Sequence, residues 1–211
     1  MLARSGGEQA IATSIVRYAP KTTFPAHIHP LGEEMLVLDG VFEDEQGTFA
    51  AGNCVRNPPG SAHSPRSPVG CLLFVRLMQF RAHDRNRTVV LRNAGQPWPP
   101  TFDAAANQLL YVDNRERVEI IAFGFEEETC ISHHGGLELL VLAGSLTCGG
   151  ELLQEHGWLR LPPNRTLVAR AGQHGCAVWI KTGHICPAIP SWPFDSHDSS
   201  KPTSLIEDPA S

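Results

Sequence analysis

Two histidines one residue apart, His27 and His29, stand just ahead of Glu33 and Glu34, and a third, His63, follows a Pro-Pro-Gly turn at 58–60. Successive side chains of a strand leave on opposite faces, so His27 and His29 point the same way. Imidazoles and a carboxylate turned into a protein interior need a shared cation or a hydrogen-bond network. Three histidines with one carboxylate, Glu33 or Glu34, form a divalent-metal set, imidazole suiting zinc, copper, iron or nickel. Arg56, just before the Pro-Pro turn, is a candidate contact for an anionic substrate or ligand. Its competing reading is a structural partner of a carboxylate such as Glu34.

The elements that must position these residues are strands. Short apolar or alternating runs, among them MLVLDGVF, CLLFVRLMQF, RVEIIAFGF and LELLVLAGSL, are punctuated by Gly, Pro and Asn. This pattern predicts an all-β sandwich or barrel, and 17 prolines argue against long helices. The chain also repeats: EEMLVLDG (33–40) lies over LELLVLAG (137–144) and CVRNPPG (54–60) over WLRLPPN (158–164), both at an offset of 104 residues. CLLFVRL from Cys71 matches CAVWIKT from Cys176 one residue further on. Two tandem β units explain this better than one large sheet. The expected boundaries are a first unit at 1–96, a linker at 97–108, a second unit at 109–186 and a Pro/Ser-rich tail at 187–211, anchored at most by Trp192 and Phe194.

The offset also sorts the candidate ligands. His27 becomes Ile131, Glu33 becomes Leu137 and His63 becomes Leu167, whereas His29, Glu34 and Arg56 persist as His133, Glu138 and Arg160. Joint loss of three positions is what loss of one shared site looks like, which favours Glu33 over Glu34 as the ligand. Glu34 and Glu138 then read as a structural pair at the barrel mouth. The second unit is expected to hold no metal, although His134 and Glu138 repeat the His29–Glu33 spacing one residue out of register. His83, His156, His174, His184 and His197 lack ligand spacing and read as surface residues, as RAHDRNR (81–87) reads as a solvated turn.

Bulk properties exclude several function classes. A formal charge of −5 with a pI near 6.0 leaves no footprint for nucleic acid. No apolar run is long enough to span a membrane, and the N-terminus has no signal-peptide core, so a cytoplasmic protein is expected. Six cysteines without a C-x-x-C pair then read as reduced thiols.

The sequence resembles the cupins. Their first motif, G-x5-H-x-H-x3,4-E-x6-G, is met by His27, His29, Glu33 and Gly40, with Thr22 or its neighbours at the leading glycine. The second, G-x5-P-x-G-x2-H-x3-N, is met by Gly52, Pro58, Gly60 and His63, with Ser67 in place of asparagine. From about Thr22 to Arg76 the wording is similar to the cupin domain of ChrR-type anti-sigma factors. The resemblance implies two tandem double-stranded β-helix (jelly-roll) barrels, with one divalent metal held by His27, His29, Glu33 and His63. Zinc is the first candidate, with iron, manganese or nickel as the others. It also implies a sensory or regulatory role linked to oxidative stress. The H-x3-C-x2-C pattern of the sigma-binding domain that precedes such barrels is absent here, so sigma-factor inhibition is not carried over. The alternative is a non-haem metal dioxygenase of a small organic molecule, and a third reading gives the metal a purely structural task. A regulatory protein or a small-molecule ligand is the expected partner. The apolar strands of the second unit can cover the first within one chain, so either a monomer or a homodimer is expected.

Overall fold

The computed structural model describes residues 1–5, 11–91 and 107–185. All regular elements among them are strands. The first barrel contains β1 (Ala3–Ser5), β2 (Ile11–Tyr18), β3 (Thr22–Thr23), β4 (His27–His29), β5 (Glu33–Asp44), β6 (Gly47–Ala50), β7 (Cys54–Asn57), β8 (Ser61–His63), β9 (Arg66–Ser67), β10 (Cys71–Leu77) and β11 (Thr88–Val90). The second contains β12 (Gln108–Val112), β13 (Arg117–Phe123), β14 (Glu128–Ser132), β15 (Leu137–Cys148), β16 (Glu151–Leu153), β17 (Trp158–Leu161) and β18 (Thr166–Thr182). The main sheet of the first barrel runs β1-β2-β10-β5-β7-β11, and that of the second β12-β13-β18-β15-β16, with β14 on β18 and β17 on β15. β4 and β8 form a separate two-stranded ribbon. The expected linker, apart from its last two residues, and the tail with Trp192, Phe194 and His197 lie outside the described residues.

The repeat seen in sequence is a repeat of ladders. His27 pairs with His63 across β4 and β8, and Ile131 pairs with Leu167 across β14 and β18. Glu34 faces Arg56 across β5 and β7, as Glu138 faces Arg160 across β15 and β17. Gly40 and Gly144 end the two matched runs at φ +72° and +74°. There a Cβ would run into the carbonyl oxygen of Gly70 or Gly175, so glycine is required at both.

After their glutamates, β5 and β15 carry unbroken apolar runs, at 35–38 and 139–143, because both of their faces are buried there. Met35 and Val37 join Phe42, Phe49, Val55 and Leu73 inside the first barrel. Leu139 and Val141 join Leu167, Val178 and Ile180 inside the second. The intervening residues, Leu36, Leu38 and Phe74 from one barrel and Leu140, Leu142 and Trp179 from the other, form a single core between the barrels. Sheet packs on sheet within one chain.

A buried ionic cluster crosses this seam. Arg76 reaches Glu34 of its own barrel at 3.1 Å and Glu138 of the other at 2.9 Å. Lys181, which aligns with Arg76, reaches Glu34 at 3.1 Å and Glu116 at 3.0 Å. Arg56 pairs with Glu34 and, at 2.8 Å, with Glu116. Three cations thus face three carboxylates, all nearly inaccessible. Glu34 and Glu138 are therefore linked through Arg76 in the seam and do not meet at a barrel mouth.

Burial alone would raise the pKa of Glu116, but Lys181 and Arg56 outweigh it and hold the carboxyl far below its usual range. In Glu138 the same penalty is outweighed chiefly by Arg76 and the His184 hydrogen bond. A carboxylate depressed in the folded state contributes stability above its unfolded pKa, about 4.3, and loses it as pH falls below that value. Thermal melts should therefore show a midpoint that falls steeply once pH drops below about 4.5. Arg76→Met, which takes one cation from each of two buried carboxylates, should cost roughly 3 kcal/mol in urea unfolding at neutral pH.

Candidate metal centre

The β4–β8 ribbon supplies three imidazoles. Its register sets His27 opposite His63, and His29 lies two residues along on the same face. The three rings form a nearly equilateral triangle, with centroids 4.8, 4.9 and 5.0 Å apart. One ligand nitrogen from each falls within 4.8 Å of the others, and Nε2 of His29 stands 3.0 Å from Nε2 of His63. Glu33, the first residue of β5, brings Oε2 to 3.6 Å from both of those nitrogens. Period-two alternation separates the two glutamates: Glu33 turns towards the histidines, and Glu34 turns into the seam.

Three further contacts fix how the donors are presented. His63 Nδ1 lies 3.1 Å from Oδ2 of Asp44, the last residue of β5. His27 Nδ1 lies 3.0 Å from the Pro25 carbonyl oxygen. With those Nδ1–H groups donating, both Nε2 lone pairs are left for a cation. Asn57 Nδ2 donates to Glu33 Oε2 at 3.4 Å.

Electrostatics point the same way. Burial, then the neighbouring His63 and His27, lowers the pKa of His29 to about 4, so its ring is neutral. Burial raises Glu33 despite the opposing pull of His63 and Asn57. His63 is lowered by burial, but the Asp44 hydrogen bond and nearby carboxylates outweigh this and leave it raised. A desolvated carboxylate beside convergent imidazole nitrogens is a donor set that fits a divalent ion. His29, Glu33 and His63 are buried, while His27 is exposed and marks the side that faces solvent.

Other residues stand elsewhere than expected. Arg56 is only 2% exposed, is paired with Glu34 and Glu116, and lies between the Phe80 and Tyr111 rings. It is a seam residue, and the anion-anchor reading does not describe its place. His184 is buried, not superficial, with Nε2 3.0 Å from Glu138 Oε2, and burial with Arg76 pushes its pKa down to about 3. Arg81 is not simply solvated, since it pairs with Asp113 of the second barrel. Asp44 escaped the sequence reading because EDEQG reads as a hairpin turn, and nothing local reveals that the turn reaches His63. In the second barrel Leu137 and Leu167 fill the matching positions within its apolar core, with Ile131 packed against them.

Comparison with known proteins agrees with this fold. Residues 1–81 match the family model of the ChrR cupin-like domain. A provisionally assigned dioxygenase from Nostoc punctiforme is similar at 15% identity and a TM-score of 0.65, covering 84% of this chain and 71% of its own. The bacterial pirin YhhW of Escherichia coli, solved in complex with nickel(II), is similar at 16% identity and a TM-score of 0.61, with 82% and 83% covered. A salicylate 1,2-dioxygenase from Pseudaminobacter salicylatoxidans gives 13% identity and a TM-score of 0.53, with 81% and 70% covered. At these identities the structural likeness shows a shared fold. No curated protein sequence matches the chain.

Competitive metal titration should separate the roles of these carboxylates. Asp44→Ala should weaken metal binding by about 10- to 100-fold, as loss of a partner that orients a ligating histidine does. Glu33→Gln should weaken it too, whereas Glu34→Gln should chiefly lower the melting temperature.

Proposed function

We propose that this two-barrel cupin, ChrR-like over residues 1–81, holds one divalent metal ion on His27, His29, Glu33 and His63 and serves as a metal-dependent sensory module. The observation that carries this reading is the convergence of three imidazoles in one barrel, with Glu33 3.6 Å from two of them, where the positions matching His27, Glu33 and His63 in the other barrel are apolar. Zinc is the first candidate ion. A divalent ion there would supply a Lewis-acidic centre for a small ligand or oxidant arriving from the His27 side. The chain's own groups orient and desolvate that centre. Asp44 and the Pro25 carbonyl hold two imidazoles, and Phe42, with its ring 5.9 Å from that of His63, closes the inner wall.

Nearby groups suited to proton transfer are already committed. Asp44 is bonded to His63 and to the Gln46 amide. Tyr18 has its pKa pushed up to about 12 by burial and the Glu33 charge. This favours sensing over acid–base chemistry. The signal would be a reactive oxygen species or a small molecule, read out to a regulatory partner in the cytoplasm by a monomer or a homodimer.

A second reading, a non-haem dioxygenase of a small organic molecule, is favoured by the exposure of His27 and by the likeness to two dioxygenase structures. Zinc bound by all four residues would be closed, whereas iron, manganese or nickel with octahedral preference would keep open positions.

Elemental analysis of protein prepared without chelator or histidine tag, with His63→Ala as control, tests the proposal. About one zinc per chain, lost in the variant, is the expected result for the sensory reading. Iron, manganese or nickel at that ratio, together with oxygen uptake on adding small aromatic acids, would move the conclusion to the dioxygenase. No uptake of any of these metals after reconstitution would overturn both.

A further inference from the structure

We propose that Arg87 is the recognition residue for the ligand of the first barrel, and that this ligand is a small organic carboxylate. The inference rests on the metal-centre reading above and specifies what that centre takes. Side chains directly opposite one another on neighbouring strands share a face. Thr88, Arg56, Glu34, Arg76 and Thr13 form one such row across β11, β7, β5, β10 and β2, with Glu34, Arg56 and Arg76 turned into the seam. The next row, one residue along, faces the other way. It holds Leu77, Glu33 and Asn57, and Arg87 continues it just before β11. Arg87 Nε donates to Asn57 Oδ1 at 3.2 Å, and Asn57 Nδ2 donates to Glu33 Oε2 at 3.4 Å. An exposed guanidinium is thus held one side chain from the carboxylate of the metal centre. Its two terminal amino groups have no hydrogen-bond or ion-pair partner among the described residues.

Charge and shape select the ligand class. Glu33 and Asp44 would balance a divalent ion, while Glu45 at the rim accepts from the Ser64 amide. The Arg87 charge also acts on Asp44, but its exposed fork is open to an anion entering from solvent, and a planar fork suits a carboxylate. The Arg87 guanidinium also lies 6.0 Å from the Phe49 ring, with Phe42 behind it at 6.2 Å from Phe49. Phe49 and Phe42 are buried and only back the guanidinium, and a single cationic fork matches a singly charged organic acid better than inorganic phosphate, which carries more charge than one guanidinium balances.

The test uses full-length protein loaded with Co²⁺ and titrated calorimetrically with benzoate, then with inorganic phosphate, at constant ionic strength set with chloride. Wild type should bind benzoate more tightly than phosphate. Arg87→Gln should weaken benzoate binding tenfold or more while its melting temperature and Co²⁺ absorption spectrum stay those of wild type. Arg87→Lys, which keeps the charge without the fork, should fall between. Unchanged benzoate affinity in Arg87→Gln, tighter binding of phosphate, or no benzoate binding by Co²⁺-loaded wild type would overturn the assignment with the metal centre intact. Failure of wild type to take up Co²⁺ would overturn the metal centre and this assignment with it.

Discussion

A strand sends consecutive side chains to opposite faces, and at Glu33 and Glu34 this alternation divides the molecule's chemistry in two. One carboxylate turns inward to the three histidines, and its neighbour turns outward to the cations of the seam. Neither position can slip by one residue without exchanging their surroundings. The register of β5 is therefore held from both sides. Apolar residues fill each face behind the glutamates, and Gly40 closes the far end where no side chain fits.

The seam is an unusual place for so many charges. Ions withdrawn from water need close partners, and a buried ion pair is seldom more stabilising than an apolar pair of equal size. Here each carboxylate meets cations from more than one strand, Glu138 through Arg76 and Arg160. Arg76 and Lys181 reach across in opposite directions, repeating in space the offset between the two halves of the sequence. Directional pairs of this kind would favour one meeting of the two faces over others, a task that the apolar residues around them, being interchangeable, do poorly.

Much of this was legible in the chain. The spacing of His27, His29, Glu33 and His63 singled out side chains that the fold brings close together, and the offset of 104 residues reappears as matched ladders in both barrels. The partnership of Arg56 with Glu34 was one of two readings open at that level. What could not be read is non-local. Glu116 stands in a turn with no periodic signal, His184 follows the last strand, and Asp44 ends a hairpin, yet each is defined by a partner on a distant element. Sequence spacing reports which face a residue takes within its own strand. It is silent on which strand of a second barrel will lie against that face.

One difference between the barrels bears on how a sensor of this shape would move. In the second barrel a single 17-residue strand, β18, spans the whole unit and carries β14 on its flank. In the first, the same course is broken into β8, β9 and β10, and the ribbon of β4 and β8 stands apart from the main sheet. The three histidines ride on that ribbon, while Glu33 belongs to the sheet. An ion shared among them, as proposed above, would clasp two parts that the other barrel joins by unbroken backbone. On the proposed reading, its arrival or departure would make or break a tie between the ribbon and the sheet.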